Sequence, residues 1–128
     1  MLIGQTISAL EGENNETTVY TPWFPRQGDA TTTTVEVIAI SDDSKFTVQA
    51  QTKDSEEVDS ALTDLTPVVA IADTTSPLIQ SARQTAFQEL ARYKITLEAT
   101  KTAASGASLY CHFRVLAPQW EATGAQSI

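Results

Sequence analysis

Two stretches in the C-terminal third of the chain alternate apolar and polar residues with a period of two. In the first, Tyr93, Ile95, Leu97 and Ala99 alternate with Lys94, Thr96 and Glu98; in the second, Leu109, Cys111, Phe113 and Val115 alternate with Tyr110, His112 and Arg114. This is the period of a strand with one buried face. Because residues 101–107 are small or polar and include a glycine, the sequence predicts a long antiparallel hairpin between Tyr93 and Trp120.

The rest of the chain also favours strands. A second hairpin is predicted from 33–40 and 45–52, with Glu36, Ile38 and Ile40 on the outer face of its first strand, and a short buried strand is predicted at 67–72. Residues 78–94 fit either a short helix or extended chain, and we predict extended chain from about Phe87. The sequence therefore predicts an all-β fold: an antiparallel β-sandwich of jelly-roll or immunoglobulin-like type, as a single domain over 1–128 with extended terminal arms at 1–16 and 119–128.

Charge and cysteine content narrow the expected partners and location. The chain carries 16 acidic against 8 basic residues, a net charge of -8, so nucleic acid is not expected as the main partner. Its one cysteine allows no intrachain disulfide. The start Met1 to Gly4 lacks the features of a signal peptide, and no apolar run is long enough to span a membrane. We expect a chain made in the cytoplasm, without a membrane partner.

Candidate catalytic and metal sites are weak in this sequence. Cys111 and His112 are adjacent, but neighbours on a strand point to opposite faces, so they are not expected to act as nucleophile and base. The acidic stretch 54–59 and the pair Asp42 and Asp43 lack the spacing of a calcium loop. One cysteine and one histidine do not supply a zinc site. We expect no catalytic residue, no metal and no cofactor, and hence no enzyme.

Exposed aromatic residues leave a binding function open. Tyr20, Trp23 and Trp120 can serve as stacking platforms for sugars, or they can cap the ends of the sandwich or serve an interface. Trp23 and Phe24 lie between Pro22 and Pro25, which favours an edge or a fixed surface turn over a central strand.

A basic cluster is expected on the predicted C-terminal hairpin. If that hairpin pairs about a centre near Ala104, then Arg92, Lys94, His112 and Arg114 share its outward face. Like charges opposed across strands are costly unless they are neutralised. The neutralising groups are either carboxylates of this chain, such as Glu98 or Glu36, or those of an acidic partner subunit.

Two segments carry a resemblance to small auxiliary proteins of tailed-phage virions, of the kind that decorate or cement a capsid. They are 20–29 (YTPWFPRQGD), with the threonine-rich strand after it, and 113–120 (FRVLAPQW). The resemblance implies a β-sandwich with ordered terminal arms, dimeric or trimeric contacts with its own copies, and docking onto the major capsid protein at the capsid surface without catalysis. The expected interface residues are Trp23, Phe24, Arg26, Ile38, Ile40, Arg92, Lys94, His112, Arg114 and Trp120. The alternatives are a carbohydrate-binding or host-recognition module, and a small hydrolase in which a cleft joins His112 to two acids.

Overall fold

The strands form because β-branched and aromatic residues alternate with polar ones over most of the chain. A computed structural model describes residues 3–10, 16–42, 44–72, 78–100 and 108–121. In these residues the elements are β1 (Ile3–Leu10), β2 (Glu16–Tyr20), β3 (Phe24–Pro25), β4 (Ala30–Ile40), β5 (Ser44–Lys53), a 3-10 turn (Asp59–Ala61), β6 (Thr63–Ala72), β7 (Leu78–Gln84), β8 (Leu90–Ala99), β9 (Ser108–Val115) and β10 (Gln119–Glu121). The predicted all-β class is confirmed.

Two antiparallel sheets pack against each other. The front sheet contains β1, β9, β4, β10 and β7, and the back sheet contains β2, β3, β8, β5 and β6. Within β4, residues 30–32 pair with β10 and residues 35–40 pair with β9. Strands β9 and β10 therefore lie along the same edge of β4, and β7 pairs with its other edge. The strand pairing is that of a long hairpin folded over twice. The pairs are β1 with β9, β2 with β8, β4 with β7, and β5 with β6. Of the two predicted sandwich types, this connectivity is the jelly roll.

Neither predicted hairpin forms, although the strands themselves do. β8 lies in the back sheet beside β2 and β5, whereas β9 lies in the front sheet between β1 and β4. Similarly, β4 and β5 belong to opposite sheets. Alternation shows that each strand has one buried face. It does not show whether two successive strands pair in one sheet or face each other from opposite sheets, because both arrangements bury the same residues. The turn predicted at 101–107 lies outside the described residues.

The core fills the space between the sheets with large inward side chains. Phe46 of the back sheet and Phe113 of the front sheet are fully buried, with ring centroids 4.9 Å apart. The hydroxyls of Thr33 in β4 and Tyr93 in β8 form a buried hydrogen bond of 2.5 Å between the sheets. Aromatic packing and this polar contact therefore fix how the two sheets face each other.

An irregularity in β4 corrects one predicted interface residue. Val37 pairs with Phe113, but the next pair is Ala39 with His112, so Ile38 is an extra residue in a β-bulge. The bulge shifts the inward and outward alternation of the following side chains by one position. Ile38 is therefore exposed, and the Ile40 side chain points into the core. Ile40 is therefore not a surface residue.

The segments predicted as terminal arms contribute strands to the front sheet. β1 pairs along its whole length with β9, and β10 pairs with the start of β4. Next to β10, Gly28 is required because a Cβ atom there would lie 1.9 Å from the Glu121 carbonyl oxygen. Residues 1–2, 11–15 and 122–128 of the predicted arms lie outside the described part of the chain. Residues 78–94, for which a helix remained open, contain strand β7 and the start of β8 and no helix; the predicted extended chain from about Phe87 becomes a strand only at Leu90.

Candidate binding faces

The outer face of the back sheet carries three rows of polar side chains across β2, β8 and β5. Residues directly opposite each other in antiparallel strands point to the same side. The rows are Tyr20, Lys94 and Gln49; Thr18, Thr96 and Thr47; and Glu16, Glu98 and Lys45. A groove of about 190 Å³ runs across them, lined by Glu16, Thr47, Gln49, Lys94, Thr96 and Glu98, and we name it the back-sheet groove.

Arg92 stacks on two aromatic rings at one end of this face. Its guanidinium carbon lies 4.2 Å from the ring centroid of Tyr20 and 4.5 Å from that of Trp23. Its Nε donates a 2.8 Å hydrogen bond to Gln51, whose amide donates in turn to Asp64 at 2.7 Å. These contacts hold the guanidinium in one place and, with it, the two rings.

Lys53 and Asp59 complete the surroundings of Trp23. The Lys53 ammonium lies 4.9 Å from the indole centroid and donates to the Asp59 carboxylate at 2.8 Å. This hydrogen bond, with the positive charges of Lys53 and Arg92, outweighs partial desolvation and lowers the pKa of Asp59. The Trp23 N–H also lowers the pKa of Asp59, because a nearby donor favours the charged carboxylate. The buried Trp23 nitrogen nevertheless forms no hydrogen bond with good geometry.

We expect Asp59→Asn to lower stability at neutral pH but not in acid. A carboxyl whose pKa is lowered on folding stabilises the native state above its ordinary pKa, and this contribution is lost as the pH falls through the folded value. The difference in urea midpoint between wild type and variant should therefore shrink below about pH 4. Asp42→Asn is the control, because Asp42 forms no ion pair within the described residues. A difference that stays constant with pH would contradict the expectation.

The outer face of the front sheet is more apolar. Ile38, Ile79 and Tyr110 are exposed there, and we name them the front-sheet patch. Glu36 of β4 lies between Ile79 on one neighbouring strand and Arg114 on the other, and its carboxylate accepts a hydrogen bond from the Arg114 guanidinium. The sequence alternative in which a carboxylate of this chain neutralises the basic residue is thus correct for Arg114, with Glu36 as the partner.

The predicted basic cluster does not exist as one surface. Arg92 and Lys94 lie on the outer face of the back sheet, and His112 and Arg114 on that of the front sheet, with the core between them. The cause is the misassigned hairpin, since its two strands belong to different sheets. Arg92 is bound within its own sheet by Gln51, with Asp59 at 3.7 Å.

The remaining predicted interface residues lie near the ends of the sandwich. Trp120 is partly buried, and its ring contacts Phe87 edge-on with centroids 5.2 Å apart. Phe24 packs on Tyr93, and exposed Arg26 donates to the Phe87 carbonyl at 2.8 Å. The expectation that the tryptophans cap the sandwich thus describes Trp120 better than Trp23, which stacks with two cations.

Cys111 and His112 are placed as the sequence predicts, on opposite faces of β9. Cys111 is fully buried, and burial raises the pKa of its thiol to about 12, so it stays protonated at neutral pH. His112 is exposed on the outer face. Among the described residues, no group of three His, Cys, Asp or Glu is arranged to hold a metal ion. In the same part of the chain, no helix is long and apolar enough to span a membrane.

Sequence reasoning missed most of the two outer faces. Glu16, Thr47 and Gln49 of the groove and Ile79 and Tyr110 of the patch attract no attention singly, because each is an ordinary residue on the outer side of its strand. Only the strand order brings them together. The jelly roll therefore exposes two different outer faces, one polar with a groove and one with three exposed apolar side chains. No family model, curated protein or solved structure matches this chain.

Proposed function

We propose that this chain is a non-enzymatic structural protein of a tailed-phage virion. In this proposal it decorates the capsid, docks on the major capsid protein and contacts its own copies as a dimer or trimer. Binding to many equivalent positions of a shell makes a weak individual contact effective, because each added contact acts at a high local concentration.

The front-sheet patch is the observation that carries the proposal. Ile79 is 68% exposed and Tyr110 is 45% exposed, and both lie on the same outer face as Ile38. Charges on this face are paired within the chain: Arg114 with Glu36, and Arg83 with Glu121 at 2.7 Å. A face that exposes three apolar side chains and pairs its charges internally is less costly to desolvate than a face with unpaired charges. We therefore assign it as the surface that docks on the major capsid protein.

The fold supports the same class of function by analogy. Jelly rolls form viral capsid domains, and they also form lectin domains and cupins. Fold alone does not decide among these, because one fold supports many functions. The described residues contain no group of three His, Cys, Asp or Glu that could form the metal site of a cupin. The lectin-like alternative is favoured by one observation, the half-exposed Tyr20 ring beside the back-sheet groove.

Light scattering of the chain, alone and mixed with candidate phage capsids, tests the proposal. We expect a dimer or trimer alone, and a saturable number of copies bound per capsid. Ile79→Lys should abolish capsid binding, because it places a charge in the patch while Glu36 opposite limits the cost to folding. Val58→Lys is the matched control, since Val58 is 67% exposed in the loop that joins β5 and β6.

A strict monomer that binds no capsid would overturn the proposal. Equal binding by wild type and Ile79→Lys would overturn the assignment of the patch. Thermal unfolding of both lysine variants separates these results from misfolding.

A further inference from the structure

We propose that the back-sheet groove binds a neutral saccharide, with Tyr20 as the stacking platform. This site is independent of the capsid contact proposed above, because it lies on the opposite sheet. It can therefore fail or succeed without bearing on the front-sheet patch.

The groove presents several kinds of hydrogen-bonding group along about 13 Å, the length of the four residue steps from Lys94 to Glu98. Thr47 and Thr96 offer hydroxyls, Lys94 donates, and Glu16 and Glu98 accept. Neighbouring strands are about 4.8 Å apart, so side chains of adjacent strands can contact hydroxyls of the same ligand. Mixed donors and acceptors at this spacing suit a polyhydroxylated ligand.

Part of this hydrogen-bonding capacity is unused by the protein. In the described part of the chain, Lys94, Glu16 and Glu98 form no ion pair, and the Thr47 hydroxyl forms no hydrogen bond, although Lys94 and Thr47 are half-buried. Gln49 is instead fixed, because its amide donates to the Leu65 carbonyl at 2.9 Å. The groove thus combines a fixed wall with side chains that remain available to a ligand.

Tyr20 can supply the flat apolar surface that sugar rings require through the ring face that Arg92 does not cover. It lies directly opposite Lys94, at the end of the groove, and is 50% exposed. Arg92 stacks on the ring at 4.2 Å and is itself held by Gln51 and Trp23. The phenol is therefore positioned before a ligand arrives, which reduces the entropy lost on binding.

The charge balance of the site favours a neutral ligand over an anion. The lining of the groove holds one ammonium, Lys94, and two carboxylates, Glu16 and Glu98, and Lys45 lies opposite Glu98 next to the groove, so the site has no surplus of positive charge. A phosphorylated or sulfated ligand requires a surplus of positive charge that this groove lacks. Neutral hydroxyls can donate to the carboxylates and accept from the ammonium without that requirement.

Native gel electrophoresis in the presence of neutral polysaccharides tests the site. The net charge of the chain drives it toward the anode, and binding to an immobile polysaccharide slows it. The probes are mixed-linkage β-glucan, xylan, galactomannan and an α-glucan, each in a separate gel. We expect wild type to be retarded by at least one of them, to a similar extent at low and moderate salt.

Tyr20→Ala and Tyr110→Ala form a matched pair of variants. Both remove a half-exposed tyrosine without changing the charge, the first beside the groove and the second on the opposite sheet. We expect Tyr20→Ala to bind at least about tenfold more weakly, which corresponds to about 1.4 kcal/mol, and Tyr110→Ala to bind as wild type does. Thr47→Val, which keeps the strand-favouring branched shape and removes only the hydroxyl, should also weaken binding.

Two results would overturn the proposal. One is that no neutral polysaccharide slows the wild-type chain. The other is that both tyrosine variants lose retardation equally while remaining folded by circular dichroism, which would place binding elsewhere.

Discussion

Phe113→Ala should lower the free energy of unfolding by about 3–5 kcal/mol, the largest effect of any single truncation we expect. Phe113 is fully buried and meets Phe46 of the other sheet with ring centroids 4.9 Å apart. Alanine would remove this contact and leave a cavity that neither sheet can fill without moving toward the other. Urea unfolding followed by tryptophan fluorescence and far-ultraviolet circular dichroism measures the loss.

Tyr110→Ala is the control for this experiment, because Tyr110 lies on the same strand but on its outer face. It should cost less than about 1 kcal/mol. Equal losses for the two variants would contradict the packing of the front sheet against the back sheet through β9.

Thr33→Val should cost about 1–3 kcal/mol, although the side chain keeps its shape and gains an apolar methyl group. The reason is that the Tyr93 hydroxyl, buried between the sheets, would lose its hydrogen-bond partner. Tyr93→Phe removes the other half of the same bond. The double variant should therefore lose less than the sum of the two single variants, which a double-mutant cycle of unfolding free energies measures.

Thr34→Val supplies the comparison. The Thr34 hydroxyl bonds to Ser81 at 2.7 Å, but this pair is exposed, so water can replace either partner. We expect a change of about 0.5 kcal/mol or less. If the two threonine substitutions cost the same and the cycle shows no coupling, the bond between the sheets contributes nothing specific.

The two proposed functions use different faces of one domain. The front-sheet patch offers apolar surface with its charges paired internally, whereas the back-sheet groove offers unpaired polar groups beside an aromatic ring. Variants in one face can thus be measured in the assay of the other. Ile79→Lys should leave polysaccharide retardation intact, and Thr47→Val should leave capsid binding intact.

Which strands exist, and which of their faces are buried, could largely be predicted from the sequence. The alternation in 93–99 and 109–115 correctly gave β8 and β9, with Ile95 and Phe113 inward and Lys94 and Arg114 outward. It also correctly separated Cys111 from His112. These predictions depend only on the backbone geometry of a strand, in which successive side chains point to opposite faces.

The pairing of strands could not be predicted in the same way, and the candidate sites depend on it. The predicted hairpin failed because a connection of moderate length can return to the same sheet or cross to the other, and both choices bury the same residues. The predicted basic cluster of Arg92, Lys94, His112 and Arg114 was also wrong, because it assumed that the two strands pair in one sheet. The Ile40 prediction failed for a different reason, the bulge at Ile38, which shifts the alternation within one strand.

The sequence by itself therefore determined an all-β domain and the inward or outward direction of most of its side chains, because these follow from local periodicity. Only the tertiary structure decided that β1 pairs with β9 and β2 with β8, which makes the sandwich a jelly roll. It also decided that Tyr20 lies beside Lys94 and that Ile79 shares a face with Tyr110. Such neighbours are far apart in the chain, and the interactions that select them, packing across the core and hydrogen bonding between distant strands, leave no trace in the local pattern.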